Sequence, residues 1–318
     1  MNDLTAGVTI AVLDDYQRVA LQAADWTPVQ QRARVDVFHD HLAGADAVAA
    51  RLAPYDVVCV MRERTPLPRE IIERLPRLKL ICSTAARNAS IDTAAAAERG
   101  IEIVPTGYTA TPTIELTWAL ILAGARHVVA ETESVRRGGW QTRVGDDLAG
   151  QTLGILGLGN IGSRVARVAL AFGMQVIAWS QNLDAGTAAA AGARLVSKEE
   201  LLRTADVVSI HLVLSARTRG LLGAAELALM KPSARLVNTS RGPIVEETAL
   251  CAALAERRIA GAALDVFDTE PLPPDHPFRR LDNVLVTPHI GYVSWGTYRR
   301  FYGDTVANIL KWLDHRGA

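Results

Sequence analysis

Three side chains stand just beyond short apolar runs in the second half of the chain. Arg241 follows "LVNTS", Glu270 follows "ALDVFDT" and His289 follows "NVLVTP". Together these types suit one kind of chemistry. A planar guanidinium binds a carboxylate through two parallel hydrogen bonds. A hydride moving to or from a carbonyl carbon needs a group that gives or takes a proton at the oxygen. Imidazole does this near neutrality, its reference pKa being about 6.5. A carboxylate on the other ring nitrogen fixes the tautomer and favours the imidazolium. Each type also has an ordinary alternative: Arg in a surface ion pair, Glu before Pro in solvent, His in a structural contact. By themselves the three residues leave both readings open.

Positioning such groups requires strand ends. Apolar runs rich in branched residues predict strands near 153–157, 175–179, 206–211, 235–238, 262–266 and 283–286. Helices are expected between them, near 160–172, 198–203, 223–230 and 246–257, with Ser197 and Glu200 as a capping box. Strand–helix alternation of this kind gives a parallel sheet covered on both faces, and ligands sit at the carboxyl ends of its strands. Arg241, Glu270 and His289 all fall at such ends.

The first of these strands leads into Gly157-Leu158-Gly159-Asn160-Ile161-Gly162 and then a helical run. A bare GxGxxG is weak evidence, but here the strand and the helix are both present. Gly157 permits the tight turn, Gly159 allows a pyrophosphate close to the backbone, and Gly162 lets the helix lie on the strand. The helix N-terminus, with Asn160 and Ile161 in its first turn, offers unpaired N–H groups to phosphate. About 20 residues further on, an acid usually meets the adenosine ribose. This chain has Ser180, Gln181 and Asn182 there, with Asp184 later. No acid repels a 2′-phosphate and no adjacent cation attracts one, so NAD(H) is expected to be slightly favoured and NADP(H) accepted.

The first third repeats the alternation. Strands are expected at 8–13, 56–61, 78–83 and 101–104, and helices at 67–75 and 90–100, the latter with Ser90 as N-cap and Gly100 at its end. A long helix is expected over 112–131, followed by a polar, Gly-rich loop, and a last helix over 294–314.

With 318 residues the chain suits two domains. Lys plus Arg equals Asp plus Glu at 34 each, so no global charge draws it to nucleic acid or an anionic membrane. The most apolar stretch, 118–125, is too short to span a bilayer, and the N-terminus lacks the pattern of a secretory signal. Cys59, Cys82 and Cys251 are scattered, which fits free thiols rather than a disulfide or a metal site. The expectation is a soluble cytoplasmic protein with a small-molecule ligand and no metal.

The chain resembles the D-isomer-specific 2-hydroxyacid dehydrogenase family over nearly its whole length. The likeness rests on "GLGNIG", "ADVVSIHLVLSARTRGLLG", "MKPSARLVNTSRGPIVEE", "GAALDVFDTEPLP" and "DNVLVTPHIG" in this order. The resemblance implies an oxidoreductase that interconverts a small 2-oxo acid and its D-2-hydroxy acid with NAD(P)H. It implies that Arg241 binds the oxo acid, Glu270 supports the histidine, and His289 is the acid/base. It extends the cofactor contacts to Ser240, Asp265 (on the nicotinamide carboxamide) and Gly291. It also implies an α/β fold of two doubly wound parallel-sheet domains. A Rossmann cofactor domain, 106–289, is inserted into a flavodoxin-like substrate domain, 1–105 plus 290–318. The 112–145 region resembles the family's dimer-forming segment, and a homodimer is expected.

Several residues depart from the family pattern. The substrate loop carries Ala85, Ala86 and Arg87, and Tyr292 follows Gly291 where many relatives have glycine. These positions, with Arg62 in a segment similar to one that faces substrate, are candidate substrate contacts; Arg62 equally suits an ion pair with Glu63 or Glu70. Two other functions share the fold. Formate oxidation pairs the histidine with Gln, where this chain has Glu270. A nucleotide-sensing binding protein of the corepressor type keeps similar residues.

Overall fold

The structure, a computed structural model, describes residues 7–316. It forms two compact units: the residues up to Thr109 with those from Val293 onward, and Ala110–Tyr292. Both breaks lie a few residues past 105 and 289. Hydrogen bonds account for the difference. Thr106 N–H donates to the Ser83 carbonyl at 3.1 Å and Gly107 N–H to Asp304 Oδ2 at 2.7 Å, which holds this segment in the first unit. Ile290 and Gly291 donate to Asp265 and stay with the second.

The first unit is built on a five-stranded parallel sheet of β1 (Val8–Val12), β2 (Ala33–Val37), β3 (Val57–Val60), β4 (Leu80–Ser83) and β5 (Glu102–Pro105), in the order β2-β1-β3-β4-β5. The inner strands β3 and β4 are buried at every position, as unbroken apolar runs in a covered parallel sheet should be. Edge strand β2, "ARVDV", escaped the sequence reading because charged residues interrupt it; Asp36 in it accepts from the Tyr55 hydroxyl at 2.8 Å. The helix Ala45–Leu52 was also not anticipated, although it buries Val48, Ala49 and Leu52 along one stripe. The helix expected over 90–100 is Thr93–Glu98. Asp92 caps it by accepting from Ala95 N–H at 2.8 Å, while the Ser90 hydroxyl turns to Asn88 Oδ1 at 2.6 Å.

The second unit holds seven parallel strands: β6 (Thr152–Leu156), β7 (Gln175–Trp179), β8 (Arg194–Leu195), β9 (Val207–Ile210), β10 (Arg235–Asn238), β11 (Gly261–Leu264) and β12 (Val284–Val286). Their order is β12-β11-β10-β9-β6-β7-β8. The chain therefore reverses direction across the sheet between β6 and β9, and the crevice outside that switch point is where ligands bind in such sheets. The helix Asn160–Ala171 joins β6 to β7 and buries Val165, Ala166 and Ala169. Two elements here were not foreseen, β8 and the helix Ala185–Ala190, which Asp184 caps. Ser197 accepts from Glu200 N–H at 3.0 Å, but the Glu200 carboxylate pairs with Arg194 at 2.8 Å, so half of the expected capping box forms.

The helix expected over 112–131 is two helices, Thr111–Ala125 and Val128–Arg136, bent by 63°. His127 sits between them in the left-handed region with φ 51°. The apolar pattern runs through this break, so periodicity alone does not mark it. The second helix buries none of its residues, and Val128, Val129 and Val135 are exposed. Among the described residues no single helix is long and apolar enough to cross a membrane.

Candidate active site

The glycine loop lies at the carboxyl end of β6. Gly157 adopts φ 98°, a conformation that disfavours any side chain, and its N–H donates to the Trp179 carbonyl at 2.9 Å. A Cβ on Gly162 would stand 2.1 Å from the Gly157 carbonyl oxygen, so the helix approaches the loop only because that atom is missing. Around Gly159, by contrast, a Cβ would meet nothing within 4 Å. The open position is the one where a pyrophosphate would approach, and the two closed positions shape the turn. The residues fit a dinucleotide: Gly157, Gly159 and Gly162 form the cradle, and Asn160 and Ile161 begin the helix whose N-terminus faces it.

Ser180 and Gln181 follow β7. Ser180 is half-buried and Gln181 exposed. The nearest acid downstream, Asp184, is committed to its helix cap. It accepts from Thr187 N–H at 2.8 Å and from the Thr187 hydroxyl at 2.6 Å, and these bonds hold its carboxyl below the usual range.

At the end of β10, Asn238 organises the next turn. Its side chain accepts from Ser240 N–H at 3.0 Å and donates to the Arg241 carbonyl at 3.0 Å. The Ser240 hydroxyl donates to the Leu212 carbonyl, and Arg241 Nη1 donates to the Ser240 carbonyl at 2.7 Å. The turn is thus fixed at its base by a buried amide, and Arg241 extends from it.

Glu270 and His289 meet. His289 Nδ1 lies 2.5 Å from Glu270 Oε2, and Glu270 Oε1 accepts from Phe267 N–H at 2.9 Å. His289 has φ 52°, and its ring is edge-on to Tyr292 at 5.7 Å between centroids. Tyr292 is therefore a neighbour of the imidazole, a relationship its position after Gly291 did not reveal. The loop carrying His289 is gathered by Asp265, which is fully buried. Asp265 Oδ1 accepts from the Thr287 hydroxyl at 2.6 Å and from Ile290 N–H at 2.8 Å, and Oδ2 from Gly291 N–H at 2.7 Å. Burial pushes the Asp265 carboxyl up, against these hydrogen bonds and the nearby imidazole, which pull it down.

One residue at a strand end escaped the sequence reading. His211 follows β9, and a Cβ on Gly157 would be 2.8 Å from its backbone carbonyl, so its main chain backs the glycine turn. Its Nε2 lies 2.9 Å from the Ser209 hydroxyl, and burial pushes its imidazole down to about 4. The rule that flagged Arg241 and His289, a polar residue just past an apolar strand, applies to it as well.

The remaining candidates belong to the first unit, at the carboxyl ends of β3 and β4. Arg62 has φ 53°, and its N–H donates to the Thr84 hydroxyl at 2.7 Å. Its guanidinium donates to the Thr84 carbonyl at 3.2 Å, pairs with Glu63 at 3.5 Å and lies over the Tyr108 ring at 5.8 Å. The Glu63 pairing is one of the two alternatives the sequence left open. Ala85 has φ 67° and gives its N–H to the Thr106 hydroxyl at 2.9 Å, while Ala86 and Arg87 are exposed.

Comparison with known proteins agrees with this arrangement. Residues 118–291 match the family model described as D-isomer specific 2-hydroxyacid dehydrogenase, NAD binding domain. The chain is 45% identical over 251 residues to a glyoxylate reductase of Aeropyrum pernix, covering 76% of this chain and 75% of that protein. It is 34% identical over 291 residues to a hydroxypyruvate reductase of Thermotoga maritima, covering 90% and 93%. A solved phosphoglycerate oxidoreductase of Vibrio cholerae O395 superposes with a TM-score of 0.92 at 35% identity, covering 97% of this chain and 99% of that one. The fold, the glycine loop at its switch point and these similarities place the chain in the D-isomer-specific 2-hydroxyacid dehydrogenase family.

Proposed function

We propose that this chain reduces small 2-oxo acids of the glyoxylate and hydroxypyruvate kind to D-2-hydroxy acids, with Arg241, Glu270 and His289 carrying the reaction. The observation that supports this most is the 2.5 Å contact between His289 and Glu270, in the sheet whose switch-point loop is shaped for a dinucleotide. A bound nicotinamide cofactor supplies the hydride in the reducing direction. With its Nδ1–H donated to Glu270, His289 keeps Nε2 for the substrate oxygen and gives it a proton as the carbonyl becomes a hydroxyl. Glu270 holds the tautomer and stabilises the imidazolium before that transfer. The Arg241 guanidinium takes the substrate carboxylate in a two-point grip, which sets the carbonyl in register with the histidine.

The substrate size rests on the similarity to glyoxylate and hydroxypyruvate reductases. For the cofactor the reading is NAD(H) slightly favoured and NADP(H) accepted, supported by the neutral Ser180–Gln181 pair and the occupied Asp184. A homodimer is part of the same proposal. Val128, Val129, Val135, Trp140 and Val144 are exposed, and a cavity of about 590 Å³ opens between the helix Thr111–Ala125 and strand β12. Sedimentation at micromolar concentration tests it, a monomer being the contrary result.

The decisive experiment is kcat/KM for glyoxylate, hydroxypyruvate, pyruvate and branched 2-oxo acids with NADH and with NADPH. Turnover of the smaller acids is expected. Tight cofactor binding without turnover of any of them would instead favour a nucleotide-sensing protein.

A further inference from the structure

Glu270 sits in a stretch that has no strand or helix of its own: from Asp265 to His276 the backbone is irregular. Its hold on His289 therefore depends on hydrogen bonds particular to this loop rather than on a strand or helix ladder. Glu270 Oε1 takes its hydrogen bond from Phe267 N–H, within the same loop. If that turn moves, the carboxylate moves with it.

Beside the packing of the buried Phe267 ring, a carboxylate from outside the loop hydrogen-bonds the turn. Glu247 begins the helix Glu247–Ala255, and its Oε2 accepts from Asp268 N–H at 3.3 Å, the peptide next to the one that serves Glu270. Its other oxygen, Oε1, is 2.9 Å from His276 Nε2. The His276 ring is itself fixed, because its Nδ1 accepts from Phe278 N–H at 3.2 Å and the ring lies tilted against that of Phe278, 4.7 Å between centroids. With Nδ1 accepting, Nε2 carries the proton and donates to Glu247. His276 and Phe278 bracket the far end of the irregular loop. Glu247 thus ties that end to the Phe267–Asp268 turn through one side chain. The same turn touches the segment bearing Arg241: a Cβ on Gly242 would stand 2.1 Å from the Phe267 carbonyl carbon.

We infer that Glu247 and His276 are positioning residues, which lock the Phe267–Asp268 turn and thereby hold the Glu270 carboxylate on His289. This rests on the reading of His289 as the acid/base. The demand on the lock is strict, since a misplacement of about 1 Å among reacting groups costs about 10²-fold in rate. A clamp that served only stability would leave the chemistry of the folded enzyme unchanged. A positioning clamp changes the pH profile of turnover.

The test compares Glu247→Ala, Glu247→Gln and His276→Phe with His289→Ala, using glyoxylate reduction by NADH across pH, with circular dichroism and NADH binding as controls. Glu247→Ala is expected to keep the fold and to bind NADH within twofold of wild type. Its kcat should fall about tenfold, and the basic limb of its pH profile should move to lower pH. Glu247→Gln retains an oxygen for Asp268 N–H and should recover most of the rate. His276→Phe keeps the ring packing but loses the donor, and should shift the profile in the same direction by less. This variant carries the test if Glu247→Ala fails to fold. Folded variants with the wild-type pH profile, whether or not kcat falls, would overturn the inference while His289→Ala remains inactive. Wild-type turnover by His289→Ala would overturn the acid/base reading and this inference together.

Discussion

His289 Nδ1 and Glu270 Oε2 lie 2.5 Å apart although 19 positions separate them in the chain. The carboxylate takes Nδ1, the geometry that fixes one tautomer and leaves Nε2 for the proposed substrate oxygen. Glu270→Gln keeps the size and removes the charge. In the reducing direction the histidine must be protonated, so the basic limb of kcat/KM should move to lower pH and kcat at neutral pH should fall. A Gln variant with wild-type rate and profile would mean that the pair does not act as a unit.

Arg241→Lys tests the two-point grip. A lysine retains the charge but cannot form two parallel bonds to one carboxylate. Loss of one charge-assisted bond costs about 2 kcal/mol, or roughly thirtyfold in binding. The KM for the 2-oxo acid should rise by that order while the affinity for NADH holds. An unchanged KM on a good substrate counts against the role.

The glycines of the loop separate folding from cofactor binding. Gly162→Ala forces a carbon against the Gly157 carbonyl, and overpacking of this sort costs about 1–3 kcal/mol. Its melting temperature should fall. Gly159→Ala has space for the methyl, so its melting temperature should stay near wild type while NADH affinity drops, because the methyl lies where the pyrophosphate approaches. Differential scanning calorimetry and NADH fluorescence titration read the two effects; equal affinity in Gly159→Ala and wild type would place the phosphates elsewhere.

In the proposed reading, cofactor preference is set at the end of β7. Ribose hydroxyls need only hydrogen-bond partners, whereas a 2′-phosphate brings nearly two charges that must be paired. Ser180→Asp should sharpen the preference for NAD(H), and Gln181→Arg should tilt it toward NADP(H), measured as kcat/KM at fixed ionic strength. A hundredfold wild-type preference for NADP(H), roughly 2.7 kcal/mol, would show that a cation from outside this segment reaches the pocket.

His211 gives the fold a dependence on acid. Its imidazole is pushed down to about 4 in the folded protein, against about 6.5 in an unfolded chain. The unfolded chain therefore binds the proton more tightly. This contribution to stability is intact above about pH 6.5 and is lost as pH falls toward 4. His211→Gln should flatten the decline, by on the order of 2 kcal/mol at pH 4. Urea denaturation of both proteins at pH 7 and pH 4 measures it; parallel declines would assign the acid sensitivity to other groups.

The sequence by itself determined much of this protein. Apolar runs of four to six residues marked all the strands that are buried on both faces, because a covered parallel strand admits few polar side chains. The glycine spacing carried its own geometry: Gly157 takes the positive-φ turn and Gly162 lets the helix close on it, while Gly159 stays open. Strand-end placement also selected Arg241, Glu270 and His289, because a parallel sheet sends every such end to the same side. What periodicity missed includes edge strand β2, the two-residue β8 and the bend at His127, where burial is partial, and the short helix Ala45–Leu52, which is buried along one stripe.

Only the tertiary structure decided which partners these residues take. Asp265 gathers the loop after β12, Tyr292 lies edge-on to His289, Asp184 is spent on a helix cap, and Glu247 reaches the Glu270 turn from another element. The pairings of Asp265 and Glu247 have neither a period nor a local signature, whereas the Asp184 cap and the Tyr292 contact join residues three apart. A hydrogen bond between residues distant in sequence depends on the directions in which two separately packed loops leave the sheet, and those directions are fixed by the packing of the whole unit.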